Sequence, residues 1–172
     1  MADTILAEEH QTEEIFHLYQ ACAEVLAAQA ISQWDENYPG RDFIDRAIRN
    51  KELYVMMEDK SIIGAVILNE EETLEWEAIE WRDVIGKPLV LHGLCISPTH
   101  QRKGYGRRLI EWCDNYAKEQ DYTSIRLDTF DGNPVSNQLY LHNDFQLRGF
   151  VEFTHRPSDA QRYNCYEKWI TI

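Results

Sequence analysis

Between an apolar run and an amphipathic one lies Gln101-Arg102-Lys103-Gly104-Tyr105-Gly106-Arg107-Arg108, the stretch whose residue types and spacing most clearly carry chemistry. Gly104 and Gly106 have no Cβ, so a ligand can approach the backbone and positive φ is open. The first N–H groups of a helix starting here lack intrahelical acceptors and sit at the positive end of its dipole, which suits an anion. Arg102, Lys103, Arg107 and Arg108 concentrate cationic charge in a chain whose formal net charge is −13. Together these features suit a phosphate. The pattern is not a Walker loop, which requires Gly-x-x-x-x-Gly-Lys-Ser/Thr. Nor is it a full dinucleotide fingerprint, which needs a third glycine and an acid roughly 20 residues further on.

Other side chains of chemical interest lie outside this loop. His92 sits in the apolar run just before it; imidazole titrates near neutrality, so His92 is a candidate base as well as a candidate hydrogen-bonded core residue. Trp34 and Tyr38 flank Asp35 and Glu36 in a turn-rich segment broken by Pro39-Gly40. Aromatics beside carboxylates can hold an amine by cation–π contact and charge pairing, or can simply cover a core edge. Six glutamates fall between Glu70 and Glu80, interleaved with Trp76 and followed by Trp81. Glu77 and Glu80 are the candidates there for lining a cation-binding surface, against the plainer reading of a solvated loop.

Elements must position these groups. Residues 4–7 read as a short strand, and Ile15, Leu18, Tyr19, Cys22, Val25, Leu26 and Ala30 recur at helical spacing over 12–30. A shorter helix is expected over 41–50. Leu53–Met57 and Ile62–Leu68 read as strands joined by the hairpin signal Glu58-Asp59-Lys60-Ser61. Leu89–Ile96 reads as a buried strand ending at Ser97-Pro98, and a helix from about 104 to 119 presents Leu109, Ile110, Trp112, Cys113, Tyr116 and Ala117 to the core. Residues 122–130 alternate as a strand, so strand, helix and strand make a parallel crossover. Asp131-Gly132-Asn133-Pro134 opens a further helix, and 145–153 and 162–170 read as strands. An edge strand over 162–170 would be a candidate interface.

At 172 residues, with 44% hydrophobic and 27% charged residues, the chain fits one ordinary domain, 1–172. The excess of 30 acidic over 17 basic residues argues against nucleic acid or an anionic membrane as partner. Cys22, Cys95, Cys113 and Cys165 form no Cys-x-x-Cys pair, so no metal site or redox dithiol is expected and the thiols read as buried and reduced. With no basic leader and no membrane-spanning run, the expected location is cytoplasmic.

Gln101-x-x-Gly104-x-Gly106 after a strand ending in Pro98 resembles the pyrophosphate loop of the GNAT (GCN5-related N-acetyltransferase) family. Asn133-x-x-Ser136-x-x-Leu139-Tyr140-x-x-x-Asp144-Phe145 resembles the same family's second motif, with Ser136 for the usual Ala and Asp144 for the usual Gly. The resemblance is strong over about 89–145. The segments around Trp34 to Pro39 and His92-x-Leu94 look like those of small bacterial members of unassigned substrate. The implied fold is α+β, a twisted, mostly antiparallel mixed sheet of six to seven strands with about four helices, split between two central parallel strands.

By that resemblance the cosubstrate is acetyl-CoA, held in the split. Gln101, Arg102, Lys103, Gly104, Tyr105, Gly106 and Arg107 would bind its pyrophosphate. Leu94 and Ile96 would pair with the pantetheine as with an added strand, bordered by Asn133 and Ser136. Tyr140 occupies the position of the family's proton donor to the departing thiolate, and the backbone N–H of Leu94 or a neighbour would hold the oxyanion. His92 is the leading candidate for base, with Glu77, Glu80 or water as substitutes. The acceptor would be a primary amine, small or protein-borne, near Trp34, Tyr38, Glu77 and Glu80. Homodimers are common in the family. A non-catalytic acyl-CoA sensor on the same fold, and a nucleotide-binding protein using the glycine loop, are the competing classes.

Overall fold

The computed structural model describes residues 1–171. The backbone clusters into two compact units, one of residues 1–68 and 92–109, the other of residues 69–91 and from 110 onward. The strands run through one seven-stranded sheet.

In the first unit, strand β1 (Asp3–Leu6) pairs antiparallel with β2 (Leu53–Glu58), and β2 with β3 (Ser61–Asn69). The predicted hairpin closes with Glu58 opposite Ser61. Its two turn residues, Asp59 and Lys60, have φ of 48° and 69°, the paired positive values whose twist matches that of the flanking strands. Helix α1 (Thr12–Ala28) buries Ile15, Leu18, Tyr19, Cys22 and Ala23. Of these, Ile15, Leu18, Tyr19 and Cys22, together with Ile44, Ala47 and Ile48 of α2 (Arg41–Arg49), form one core cluster with Leu53, Val55, Ala65 and Ile67.

The predicted first helix overran its end. It stops at Ala28, and Ala30, expected in the buried stripe, is exposed with φ of 57°. Ile31 N–H reaches Leu26 C=O at 2.9 Å and Ala30 N–H reaches Ala27 C=O at 3.0 Å, the paired bonds of a Schellman ending. Lys51 and Asp121 take the same left-handed position after α2 and after helix α3 (Tyr105–Glu119).

In the second unit, the start of β4 (Pro88–Ile96) pairs parallel with β5 (Ser124–Phe130), the register running from Pro88↔Ser124 to Val90↔Arg126. This is the expected crossover, with α3 between the two strands in sequence. Helix α4 (Pro134–Leu141) precedes β6 (Gln146–Glu152) and β7 (Arg162–Trp169), which pair antiparallel. The sheet order is β1-β2-β3-β4-β5-β7-β6. Strand β7 is therefore interior, paired with β5 and β6 on its two sides, so 162–170 does not supply the edge that would have made it a candidate interface. The edge strand beyond β7 is β6, where Leu147 and Phe150 are exposed.

Segment 69–88 is more firmly held than its acidic composition implied. Arg126 of β5 is buried; its Nε donates to Glu167 Oε2 at 3.2 Å, Nη1 to Glu72 Oε1 at 2.7 Å and Nη2 to the Asp83 carbonyl. The Trp81 ring lies 4.5 Å from its guanidinium carbon. The Asp83 carboxylate accepts from the Thr123 hydroxyl, from Ser124 Oγ at 2.8 Å and from Gly86 N–H at 2.8 Å. Burial pushes the Asp83 carboxyl up, but these hydrogen bonds to its charged form outweigh it and the net shift is downward. No helix among the described residues is long and apolar enough to cross a membrane.

Candidate active site

The residues singled out from the sequence fall into two groups, one in each unit. In the first unit the end of β4 leads into the anion loop. Ser97 N–H is tied to Ile63 C=O at 2.7 Å, which anchors the strand end on β3. A 3₁₀ turn, Pro98–His100, follows. Gln101 turns its side chain back, Nε2 donating to Ile96 C=O at 3.1 Å, and Lys103 Nζ donates to Thr99 C=O at 3.1 Å. The loop is also fastened to the end of β2. Tyr105 OH donates to Glu58 Oε1 at 2.5 Å, and His100 Nε2 lies 3.5 Å from Glu58 Oε2. The Tyr105 hydrogen bond holds the Glu58 carboxyl below its ordinary range and the Tyr105 phenol above its own.

Positive φ occurs at Arg102 (61°) and Gly104 (83°), while Gly106 lies in the first turn of α3. A Cβ at Gly104 would meet nothing within 4 Å, so glycine is required there by backbone conformation and not by crowding. The first helical hydrogen bond runs from Arg108 N–H to Gly104 C=O at 3.1 Å. The N–H groups of Tyr105 and Gly106 precede it and have no intrahelical acceptor. Arg102, Lys103, Arg107 and Arg108 are exposed around this helix start. The combination of helix N-terminus, left-handed loop residues and exposed cations can bind an anion larger than a single carboxylate.

Within β4, Gly93 has φ of 58°, an irregularity the sequence reading did not foresee. Tyr19 of α1, 1% exposed, donates its hydroxyl to Gly93 C=O at 2.7 Å. Three residues on along both elements, Cys22 Sγ lies 3.3 Å from Ile96 C=O. His92 and Leu94 flank Gly93 and are both half-buried, whereas Ile96 is buried. Trp34 packs edge-on against Tyr19 at 5.5 Å between ring centroids, and Tyr38 lies 5.2 Å from Phe43. Both aromatics thus cover core side chains of this unit while remaining half-exposed. All four cysteines are buried free thiols, and burial pushes the Cys95 and Cys113 thiols up and that of Cys165 to about 12.

In the second unit Asn133 caps α4, its Oδ1 accepting from Ser136 N–H at 3.2 Å, with Pro134 in the first helical position. Ser136 Oγ lies 2.8 Å from Thr129 Oγ1, joining α4 to β5. Tyr140 is 6% exposed, with Phe145 edge-on at 5.5 Å and Tyr166 tilted at 6.0 Å. Asp144, in the place of the motif's glycine, takes φ of 68°. Glu77 and Glu80 are exposed, Glu77 in a 3₁₀ turn (Leu74–Ala78) and Glu80 just after it, where its carbonyl accepts from Arg148 Nε at 3.0 Å.

Sequence reasoning missed Asp128. It is half-buried on β5, and Trp76 Nε1 donates to its Oδ2 at 2.9 Å. Burial pushes its carboxyl up to about 6, with Glu75 adding and Trp76 and Arg156 opposing. The signal available was a single acid inside an otherwise regular strand, which alternation alone reads as a solvent-facing position.

The first unit thus carries a glycine-broken anion loop at a helix start, and the second a parallel strand pair and a capped helix that bears a tyrosine. The Acetyltransferase (GNAT) family profile matches residues 12–145, and the chain belongs to that family. It is similar to the uncharacterized N-acetyltransferase YesJ of Bacillus subtilis, at 28% identity over 92% of this chain and 85% of the relative. It is also similar to streptothricin acetyltransferase of Escherichia coli, at 27% identity over 99% of this chain and 91% of the relative. A GNAT-family acetyltransferase of Streptococcus agalactiae shares the fold, with TM-score 0.84 at 21% identity over 99% and 96% of the two chains.

Proposed function

We propose that this GNAT-family protein is an acetyl-CoA-dependent N-acetyltransferase that moves the acetyl group directly to a primary amine, either a small cationic molecule or a protein amino group. The observation that carries this reading is the loop from Gln101 to Gly106, where left-handed residues, a helix start and exposed cations come together as an anion site. In this reading Gln101 to Arg107 hold the pyrophosphate, Leu94 and Ile96 offer backbone to the pantetheine, and Asn133 and Ser136 border it. Leu94 N–H receives the thioester oxygen as it gains charge.

Direct transfer is favoured over an acyl-enzyme because a cysteine nucleophile must be a thiolate. Cys95, next to Leu94, is held as a neutral thiol by its burial. The departing CoA thiolate takes its proton from Tyr140. A phenol near pKa about 10 gives a proton to a thiolate whose acid is near about 8.5 only once sulfur charge has developed, so this transfer is late. His92 takes the proton of the amine. A second reading assigns that proton to Asp128, favoured because its carboxyl is poised at about 6, close to where a general base works best. Trp34, Tyr38, Glu77 and Glu80 are the proposed acceptor contacts, consistent with a cationic amine.

The test is calorimetric binding of acetyl-CoA and CoA, with ATP and NAD as controls, followed by a screen for amine-dependent release of CoA. Selective micromolar binding, about −8 kcal/mol, and turnover support the enzyme. Tyr140→Phe is expected to bind CoA as the wild type does and to lose about 100-fold in kcat. Binding without turnover across a broad amine and peptide panel would favour an acyl-CoA sensor instead.

A further inference from the structure

Tyr19 and Gly93 form a contact that no part of the reaction described above requires, although it joins α1 to the strand residue next to Leu94. Three observations coincide there. The Tyr19 hydroxyl donates to Gly93 C=O at 2.7 Å. Gly93 has φ of 58° inside β4, where an extended strand residue would be negative. A Cβ built on Gly93 would lie 3.1 Å from the Tyr19 hydroxyl oxygen, so the two groups are in contact and the site admits only glycine without displacement.

The carbonyl of Gly93 and the N–H of Leu94 belong to one planar trans peptide and point in opposite directions. A donor fixed on that carbonyl therefore fixes the direction of the Leu94 N–H, away from α1. At a residue with positive φ the peptide planes turn away from those of an extended strand, and the Tyr19 hydroxyl is a partner that fixes this one by its carbonyl. The Tyr19 ring is itself held, edge-on against Trp34 at 5.5 Å. Burial, with Cys95, Tyr38 and Cys22 around it, pushes the phenol well above its ordinary range, so it remains a neutral donor at any working pH.

We propose that Tyr19 is a positioning residue for the transfer reaction: its hydroxyl holds the Gly93–Leu94 peptide so that the Leu94 N–H is pre-aimed at the thioester oxygen of acetyl-CoA. The inference rests on the acetyltransferase reading above and adds to it a residue of α1, acting through the Gly93–Leu94 peptide. Its effect belongs to the transition state, because a donor already aimed at the developing oxyanion needs no reorganisation as charge appears.

The experiment compares wild type with Tyr19→Phe, which removes one oxygen, and with Gly93→Ala, which disturbs the same peptide from its other partner. CoA binding is measured by calorimetry, kcat and KM by steady-state assay, and the Leu94 amide proton by NMR with CoA and then with acetyl-CoA. In wild type the Leu94 amide is expected to move downfield with acetyl-CoA but not with CoA. Tyr19→Phe is expected to bind CoA within twofold of wild type, to keep KM for acetyl-CoA, to lose about 10- to 100-fold in kcat, and to lose the acetyl-specific shift. Gly93→Ala should show the same loss of kcat and shift, so the test survives if Tyr19→Phe folds poorly. Wild-type kcat and an unchanged Leu94 shift in a folded variant would overturn the proposal alone. A wild type that binds no CoA would overturn the acetyltransferase reading and this proposal with it.

Discussion

Asp128 shows how one side chain can be kept against the interest of stability. Its carboxyl rises from an ordinary 3.8 to about 6 because half-burial penalises the charge more than the Trp76 hydrogen bond compensates. The folded state therefore binds this proton more tightly than the unfolded chain does. The resulting stabilisation is complete below the unfolded value and is lost as pH rises through about 6, so the ionised carboxylate costs on the order of 3 kcal/mol at neutral pH. Asp128→Asn, which retains an acceptor for Trp76, is expected to raise the melting temperature at pH 7.5 and to lose most of that advantage near pH 4. If the same variant loses turnover, the carboxylate is retained for chemistry, as the second reading of the base requires. Thermal melts at the two pH values, beside an activity assay, decide both points.

At the scale of elements, the loop and α3 act together. Gly104 combines φ of 83° with open space where a side chain would go. Gly104→Ala should therefore destabilise by about 1 kcal/mol through backbone conformation alone. Its greater effect should fall on CoA affinity, because relaxing φ turns the N–H groups that start α3; calorimetry is expected to show a loss of about tenfold. The helix ends follow the same local physics. Asn133 and Pro134 signalled the start of α4 correctly, since an Asn cap and a proline at the first position both satisfy or remove orphan donors. The C-terminal ends were less legible. Ala30, Lys51 and Asp121 carry the left-handed turn without a glycine to mark it, so periodicity ran past the true boundary of α1.

At the scale of the whole chain, the GNAT assignment goes with a seven-stranded mixed sheet in which β4 and β5 form a parallel pair. We expect residues 1–172 to work as one acetyltransferase domain. Calorimetric unfolding should then show one cooperative transition, raised by acetyl-CoA, with about 2.7 kcal/mol of added stability at 100 times Kd. Two separate transitions would instead make the two compact units independent domains.

The sequence by itself determined the strand, loop and helix around residues 89–119, the hairpin at 58–61, the crossover to β5 and the family. Each of these is written in local signals: apolar period, glycine spacing, turn residues and caps. Tertiary structure alone decided that β7 lies inside the sheet, that the acidic segment 69–88 is tied down by Arg126, that Asp128 is poised near neutrality, and that Tyr19 grips the peptide at Gly93. Each of these depends on a partner distant in sequence: 54 residues for the bond between Arg126 and Glu72, 74 for that between Tyr19 and Gly93. Side-chain type states what a group can do, but burial and hydrogen-bond partners, which set its charge and direction, exist only once the chain has folded.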